Sequence, residues 1–328
     1  MSSFFKRLRP EGLVQSRPEP SRGVGGGEPA LDRFPSYEPL GRCQFRLVHL
    51  RPSKYWADPI AFEFQRCSLQ PTKLPFYEAV SYTWGPIDEK GTVTYAGRRI
   101  LVGKNVEALL RRFRLKDNTR LLWIDALCIN QEDHSEKSEQ VAMMDVIYQG
   151  ASRVLIYLGE ADEQCNNANS DSIMMHFGHR WSSEHFPIQK MAKFFDDRSW
   201  FSRMWVLQEV ALAEHPLVVC GSCCIPWACI PAWWIRNSRH LEKHKWAVPP
   251  ALSIDSIGAR RNSLLQLLHS TRLSRATMPH DKVYGLIGLL SPMDKASIPI
   301  DYRREVEHLY TGVATSIIKQ ENSLKLLS

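Results

Sequence analysis

The residues that could do chemistry in this chain are carboxylates set in apolar surroundings. The clearest stand in RMWVLQEVALA, where Gln208 and Glu209 interrupt a run of Trp, Val, Leu and Ala. Helical spacing puts Trp205 and Glu209 on one face. An aromatic wall one turn from a carboxylate suits a flat cationic ligand. The acid itself must be solvated, paired or functional, because burying an unpaired carboxylate is costly. A second acid, Asp125, lies inside the nearly continuous apolar run RLLWIDALCI, either held by structural hydrogen bonds or lining a crevice. Glu78, between Tyr77 and Ala79, is open to an edge contact, a pair with a nearby Arg, or catalysis. Tyr82, Trp84, Trp123 and Trp205, taken singly, read as core aromatics.

Four of the eight cysteines fall in CGSCCIPWAC: Cys220, Cys223, Cys224 and Cys229. They read either as half of a zinc knuckle, with His215 nearby, or as a strand end, a turn at Gly221 and a second apolar run in which Cys is a small hydrophobe. No second CxxC or paired-His motif completes a site, so no metal is assigned.

These groups need elements to position them. CQFRLVHLR from Cys43 predicts a strand, and FYEAVSYTWG from Phe76 a stronger one stopped by Gly85-Pro86. TVTYAGRRILV predicts a hairpin around Ala96-Gly97. Asn105 stands where the N-cap of the next helix belongs, ahead of Val106, Leu109, Leu110 and Phe113 on one face. RLLWIDALCI and RVLIYLG predict further strands, SEKSEQVAMMDVIYQGA a helix ended at Gly150, and PLVVCG another strand. Residues 200–213 predict a helix capped by Asp197 or Ser199. A polar stretch runs from Glu160 to about Ser172.

Apolar strands alternating with amphipathic helices predict an open α/β domain with a parallel sheet and flanking helices. Residues 1–40, rich in Pro, Gly, Arg and Glu, predict a disordered basic tail. Residues 41–235 form the α/β domain, and 236–328 a helical extension packing on it. In open α/β sheets ligands bind beyond the carboxyl ends of the strands. Those ends carry Ser81, Tyr82, Trp84 and Gly85, and the stretch from Asp125 to Asn130 and Gln131.

The composition bounds the function classes. A chain of 328 residues, 44% hydrophobic, can bury a sizeable core. The net charge of +7 is spread among interleaved acids and bases, with no long cationic stripe and no nucleic-acid-reading module, which argues against a dedicated nucleic-acid partner. No apolar run is long enough for a stable membrane span, and MSSFFKRLRP lacks the apolar core of a signal peptide. Cysteines without a secretory leader point to free thiols and a cytoplasmic location.

Taken together, YEAVSYTWG, LWIDALCINQED, EKSEQVAMMDVIYQGASRVLIYLG, RMWVLQEVALA and DKVYGLIGLL resemble, in order and spacing, the fungal heterokaryon-incompatibility (HET) domain from Tyr77 to about Leu289. More distantly the chain resembles TIR domains, α/β signalling modules of innate immunity with a flavodoxin-like sheet. AVSYTWG, LLWIDALCINQED and RVLIYLG are similar to their first three strands. SRMWVLQEVALA is similar to the TIR helix carrying Trp-x-x-x-Glu.

The resemblance implies an effector of vegetative incompatibility, in which non-self recognition ends in programmed cell death. It implies Glu209 as the catalytic carboxylate of NAD cleavage. Trp84, Gly85, Asp125, Asn130, Gln131 and Trp205 would line the substrate site, with Glu78, Ser81, Tyr82 and Gln208 as further candidates. NAD would be a substrate, and no cofactor is implied. Self-association and protein partners are implied too, and the alternative is a HET scaffold that signals by assembly and recruitment alone. The stretch between Gly159 and the Trp205 helix is longer than in a compact TIR domain. The chain stops at ENSLKLLS, where HET proteins continue into a variable region, which fits a fragment, a short gene product or a truncated form.

Overall fold

The computed structural model describes residues 37–69, 74–160, 174, 176–177, 188–253 and 263–321. The N-terminal tail before Tyr37, most of the polar stretch after Glu160 and the segment 322–328 lie outside the described residues. The protein is α/β, with an open mixed sheet and a helical C-terminal region. Its chain divides into two compact units interleaved in sequence. The first takes residues up to 129, 155–183 and 217–229, and the second 130–154, 184–216 and 230–328.

The sheet orders its strands β5-β4-β2-β1-β6-β3-β7-β8-β9. They are β1 (Gln44–Leu50), β2 (Ala61–Ser68), β3 (Glu78–Tyr82), β4 (Lys90–Tyr95), β5 (Arg98–Gly103), β6 (Arg120–Trp123), β7 (Arg153–Tyr157), β8 (Pro216–Cys220) and β9 (Cys223–Pro226). The boundary between the units falls inside β7 and at the start of β8. All five residues of β3 are buried, as a central strand covered on both faces requires.

β3 and β6 run parallel, with Glu78 opposite Leu122 and Ala79 opposite Trp123. An antiparallel strand, β1, lies beside β6. β1 runs against both β6 and β2, β4 against β5 and β8 against β9, while β2 and β4 are parallel. The sheet is therefore mixed rather than parallel throughout. Strand β2 is an element the sequence reading passed over. It pairs along its whole length with β1, from Gln44 opposite Ser68 to Leu50 opposite Phe62.

The β4–β5 hairpin turns at Ala96 and Gly97, both left-handed at φ 47° and 81°, the backbone of a tight two-residue connection. The helix after it, α1 (Lys104–Phe113), starts two residues earlier than expected, with Gly103 rather than Asn105 in the N-cap position. The Asn105 amide instead donates to the Thr83 carbonyl at 2.8 Å, tying the helix to the end of β3. A single turn, α2 (Asp125–Cys128), follows β6 directly and completes the helices of the first unit described up to Ile129.

The second unit is helical. Asp133 caps α3 (His134–Ala142) by accepting from the backbone N–H of Ser135 and Glu136 at 2.9 and 3.1 Å. The helix expected through Gly150 breaks at Met143, and α4 (Met144–Gly150) starts afresh. After α5 (Ile188–Asp196), a 3-10 turn at Ser199–Ser202 leads into α6 (Trp205–Ala211), shorter than the expected 200–213. Phe195 stacks edge-on against Phe201 and Trp234 at 4.7 and 5.2 Å, part of an aromatic core. The remaining helices are α7 (Cys229–Lys243), which begins at the unit boundary, then α8 (Leu264–Ser270), α9 (Asp281–Ile287), α10 (Pro292–Ser297) and α11 (Val306–Glu321). Among the described residues no helix is long and apolar enough to cross a membrane.

Candidate functional site

In the first unit the candidate residues gather at the carboxyl ends of β3 and β6. The Trp84 indole N–H donates to the Asp125 carboxylate at 2.8 Å, and the other Asp125 oxygen accepts from the Ala126 N–H at 2.7 Å. Asp125 is thus the acid at the head of α2, where unsatisfied N–H groups favour negative charge. Trp84 is 42% exposed. Gly85 follows at φ 78°, and a Cβ there would lie 2.8 Å from the Asn105 amide nitrogen. That turn needs glycine both for its backbone and for its space.

Ser81 and Tyr82, the last two residues of β3, are buried. Glu78 is also buried, and its partner is Arg120 on β6: both Arg120 Nε and Nη2 bond its carboxylate, the second at 2.9 Å. Arg120 Nη1 further donates to the Phe113 carbonyl at 3.0 Å. This is the Arg pair that the sequence left open, a fork satisfied on both sides as a buried ion pair must be.

In the second unit, α6 carries Trp205, Gln208 and Glu209. Val206 to Val210 are all buried, and Glu209 is 3% exposed. Gln208 is as deep, and its carbonyl oxygen accepts the Gly288 N–H at 3.2 Å. Gly288 ends α9 and is packed so tightly that a Cβ would lie 2.6 Å from Gln208 Cδ and 2.8 Å from Asp145 Cβ. Helices α6 and α9 thus meet across a glycine, with Gln208 as the polar link. Asn130 and Gln131 open this unit. The Asn130 N–H donates to Glu136 at 2.7 Å, and its side-chain oxygen accepts from the Glu132 N–H at 3.2 Å, so Asn130 closes the loop before α3. Gln131 is half-buried.

Trp205 is half-buried and donates to the carboxylate of Asp281, the first residue of α9. The same carboxylate accepts from the Tyr302 hydroxyl at 2.8 Å. Asp281 is buried, and burial pushes its carboxyl above the usual range. The hydrogen bonds from Tyr302 and Trp205 and the charge of Lys137 oppose that rise. Lys137 Nζ sits 4.6 Å from the centre of the Tyr302 ring. Burial, reinforced by Asp281, holds the Tyr302 phenol far above its ordinary value, so it stays a donor. The rings of His280, Tyr284 and Tyr302 pack together, with Tyr284 and Tyr302 edge-on at 5.2 Å.

The sequence reading missed Asp281, Tyr302 and Lys137. DKVYGLIGLL held the one available signal, an acid at the head of an apolar helix. The structure brings Trp84 to Asp125 in one unit, and Trp205 to Asp281 and Gln208 to Gly288 in the other.

The cysteine run forms the β8–β9 hairpin, Cys220 opposite Cys223 and Val219 opposite Cys224, with Gly221 at φ 54° in the turn. Among the described residues no cluster of His, Cys, Asp and Glu is arranged to hold a metal.

These features lie on a stretch that matches a known family. Residues 77–209, from the residue before β3 to the buried carboxylate of α6, match the heterokaryon incompatibility protein (HET) family. That stretch resembles a HET domain, and the match covers less than half of the chain. It is similar to heterokaryon incompatibility protein 6, OR allele, of Neurospora crassa, with 23% identity over an alignment of 356 positions that covers 84% of this chain and 52% of that protein. It is also similar to vegetative incompatibility protein HET-E-1 of Podospora anserina, 28% identical over 143 residues, 42% of this chain and 9% of that protein. The chain therefore spans about half the length of the first relative and a small part of the second. No solved structure matches the chain.

Proposed function

We propose that this protein acts in vegetative incompatibility, the non-self recognition between fungal strains that ends in cell death, and that its chemical step is TIR-like cleavage of NAD at Glu209. The observation that carries the proposal is a glutamate 3% exposed on α6, at the end of the matched family region and one turn from Trp205. Cleaving the nicotinamide–ribose bond sends the bonding electrons to the cationic nicotinamide, which leaves neutral and needs no general acid. The ribose passes through an oxocarbenium-like state that a fixed carboxylate stabilises. Water then adds to the ribose and loses a proton, leaving ADP-ribose. Asn130, Gln131 and Trp205, in the same unit as Glu209, are the polar and aromatic groups proposed to contact the dinucleotide.

A second reading, a HET scaffold that signals by self-association and recruitment, has its own supporting observation. The Trp205 indole N–H bonds Asp281 and the Gln208 amide bonds Gly288, so two of the three motif side chains serve the protein itself. One experiment separates the readings. Purified protein, concentrated to force association, is incubated with NAD and nicotinamide release is followed, with Glu209→Ala and Glu209→Gln beside it. Release that falls at least about 100-fold in both variants, with folding intact, supports the hydrolase. No release from folded, associated wild-type protein leaves the scaffold.

A further inference from the structure

We propose that the second unit binds a medium-chain fatty acid, a linear apolar chain ending in one carboxylate, in a cavity among α8, α9 and α11. The cavity has a volume of about 360 Å³, at the lower end of the range of small-molecule sites. At the volume a water takes in the liquid, about 30 Å³, it holds roughly a dozen heavy atoms.

Its walls are aliphatic: Met204 just before α6, Leu268 of α8, Val283 of α9, and Val313 and Ala314 of α11. The one aromatic wall residue is Tyr310, whose hydroxyl is spent on the Pro279 carbonyl at 2.7 Å. A wall of this kind suits a flexible hydrocarbon chain. A nucleotide would need several stacking faces and many convergent donors, more than one tyrosine ring and two cations supply.

Two cationic side chains belong to the cavity's lining. Arg272, exposed, and Lys282, half-buried, also line it. Lys282 Nζ donates to the Arg272 and Ser274 carbonyls, and Arg272 Nη1 to the His269 carbonyl at 3.0 Å. These neutral acceptors fix the side chains without cancelling their charge. Neither cation has a carboxylate within ion-pair distance among the described residues. Two uncompensated positive charges beside an aliphatic chamber of this size are complementary to a carboxylate on a chain of about ten to twelve carbons. The site does not depend on Glu209 cleaving NAD.

Calorimetric titration of the full chain with sodium dodecanoate, below its micelle concentration, tests the proposal. Saturable binding at one equivalent is expected. Dodecanol and dodecyltrimethylammonium, with the same chain and no anionic head, are expected to bind at least about ten-fold more weakly. Arg272→Glu, at an exposed side chain, leaves the aliphatic wall residues in place and should weaken dodecanoate about ten-fold or more. Ala314→Trp, which fills the chamber, should abolish binding, with circular dichroism reporting that the helices are retained. The proposal is overturned if folded protein shows no saturable binding, if dodecanol matches dodecanoate, or if binding survives Arg272→Glu unchanged.

Discussion

The protein builds the same interaction twice, an indole N–H donating to an aspartate at the head of a helix, and the surroundings make the two unlike. Trp84 and Asp125 meet where β3 and β6 end, with the ring 42% exposed, so water can replace either partner. Trp205 and Asp281 meet inside the helical unit, where Tyr302 also donates to the acid and Lys137 supplies nearby positive charge. A hydrogen bond at the surface contributes little net stability because it only exchanges one partner for another. A buried acceptor that serves two donors is different, since its loss leaves the buried Tyr302 hydroxyl unbonded and the half-buried Trp205 N–H short of a partner.

The largest expected effect follows from that difference. Asp281→Ala should destabilise the protein by about 3 kcal/mol, measured by urea unfolding, because it strands two donors and opens a void. If it costs no more than the surface pair, the contrast between the pairs fails. Gly288→Ala should come next, at about 2 kcal/mol, since its Cβ collides with the Gln208 amide carbon and with Asp145. That substitution leaves Asp281 untouched and so separates helix seating from carboxylate bonding.

The titration of Asp281 sharpens the comparison further. Its carboxyl is raised in the folded state, so folding binds the proton more tightly than the unfolded chain does. The associated stability is fully present below the unfolded value, about 4, and is lost as pH rises through the raised folded value. The stability of wild type relative to Asp281→Asn should therefore fall as pH increases from about 4. Unfolding of both proteins across that range checks the sign, and a rise would overturn it. Trp84→Phe should have the smallest effect, about 0.5–1 kcal/mol, because Asp125 keeps its bond to the Ala126 N–H and gains water.

Local patterns carried much of this architecture. Apolar runs marked β3, β6, β7 and β8, and Ala96-Gly97 marked the hairpin, because burial and turn geometry act on neighbouring residues. Strand direction did not follow, since an alternating or apolar strand has the same composition beside a parallel or an antiparallel neighbour. That is why a parallel sheet was expected and the sheet proved mixed. Asn105 failed as a cap because its amide serves equally well as a tertiary donor, here to Thr83. The acids at 125 and 209 stood out against apolar neighbours, and 125 proved to be bonded to Trp84. Asp281 and Tyr302, 21 residues apart with ordinary surroundings, acquire their meaning only through folding.

The interleaving of the two units has a consequence for synthesis and for dissection of the chain. The first unit receives its last segment at residues 217–229, after the second has contributed 130–154 and 184–216. Those earlier pieces emerge from the ribosome before the helices that complete their unit, which come from 230 onward. No single cut releases either unit whole: stopping near residue 229 keeps every segment of the sheet unit but leaves two orphaned helical pieces attached, with apolar faces such as that of α6 uncovered. Shortened versions of this protein will therefore tend to aggregate rather than yield an isolated domain.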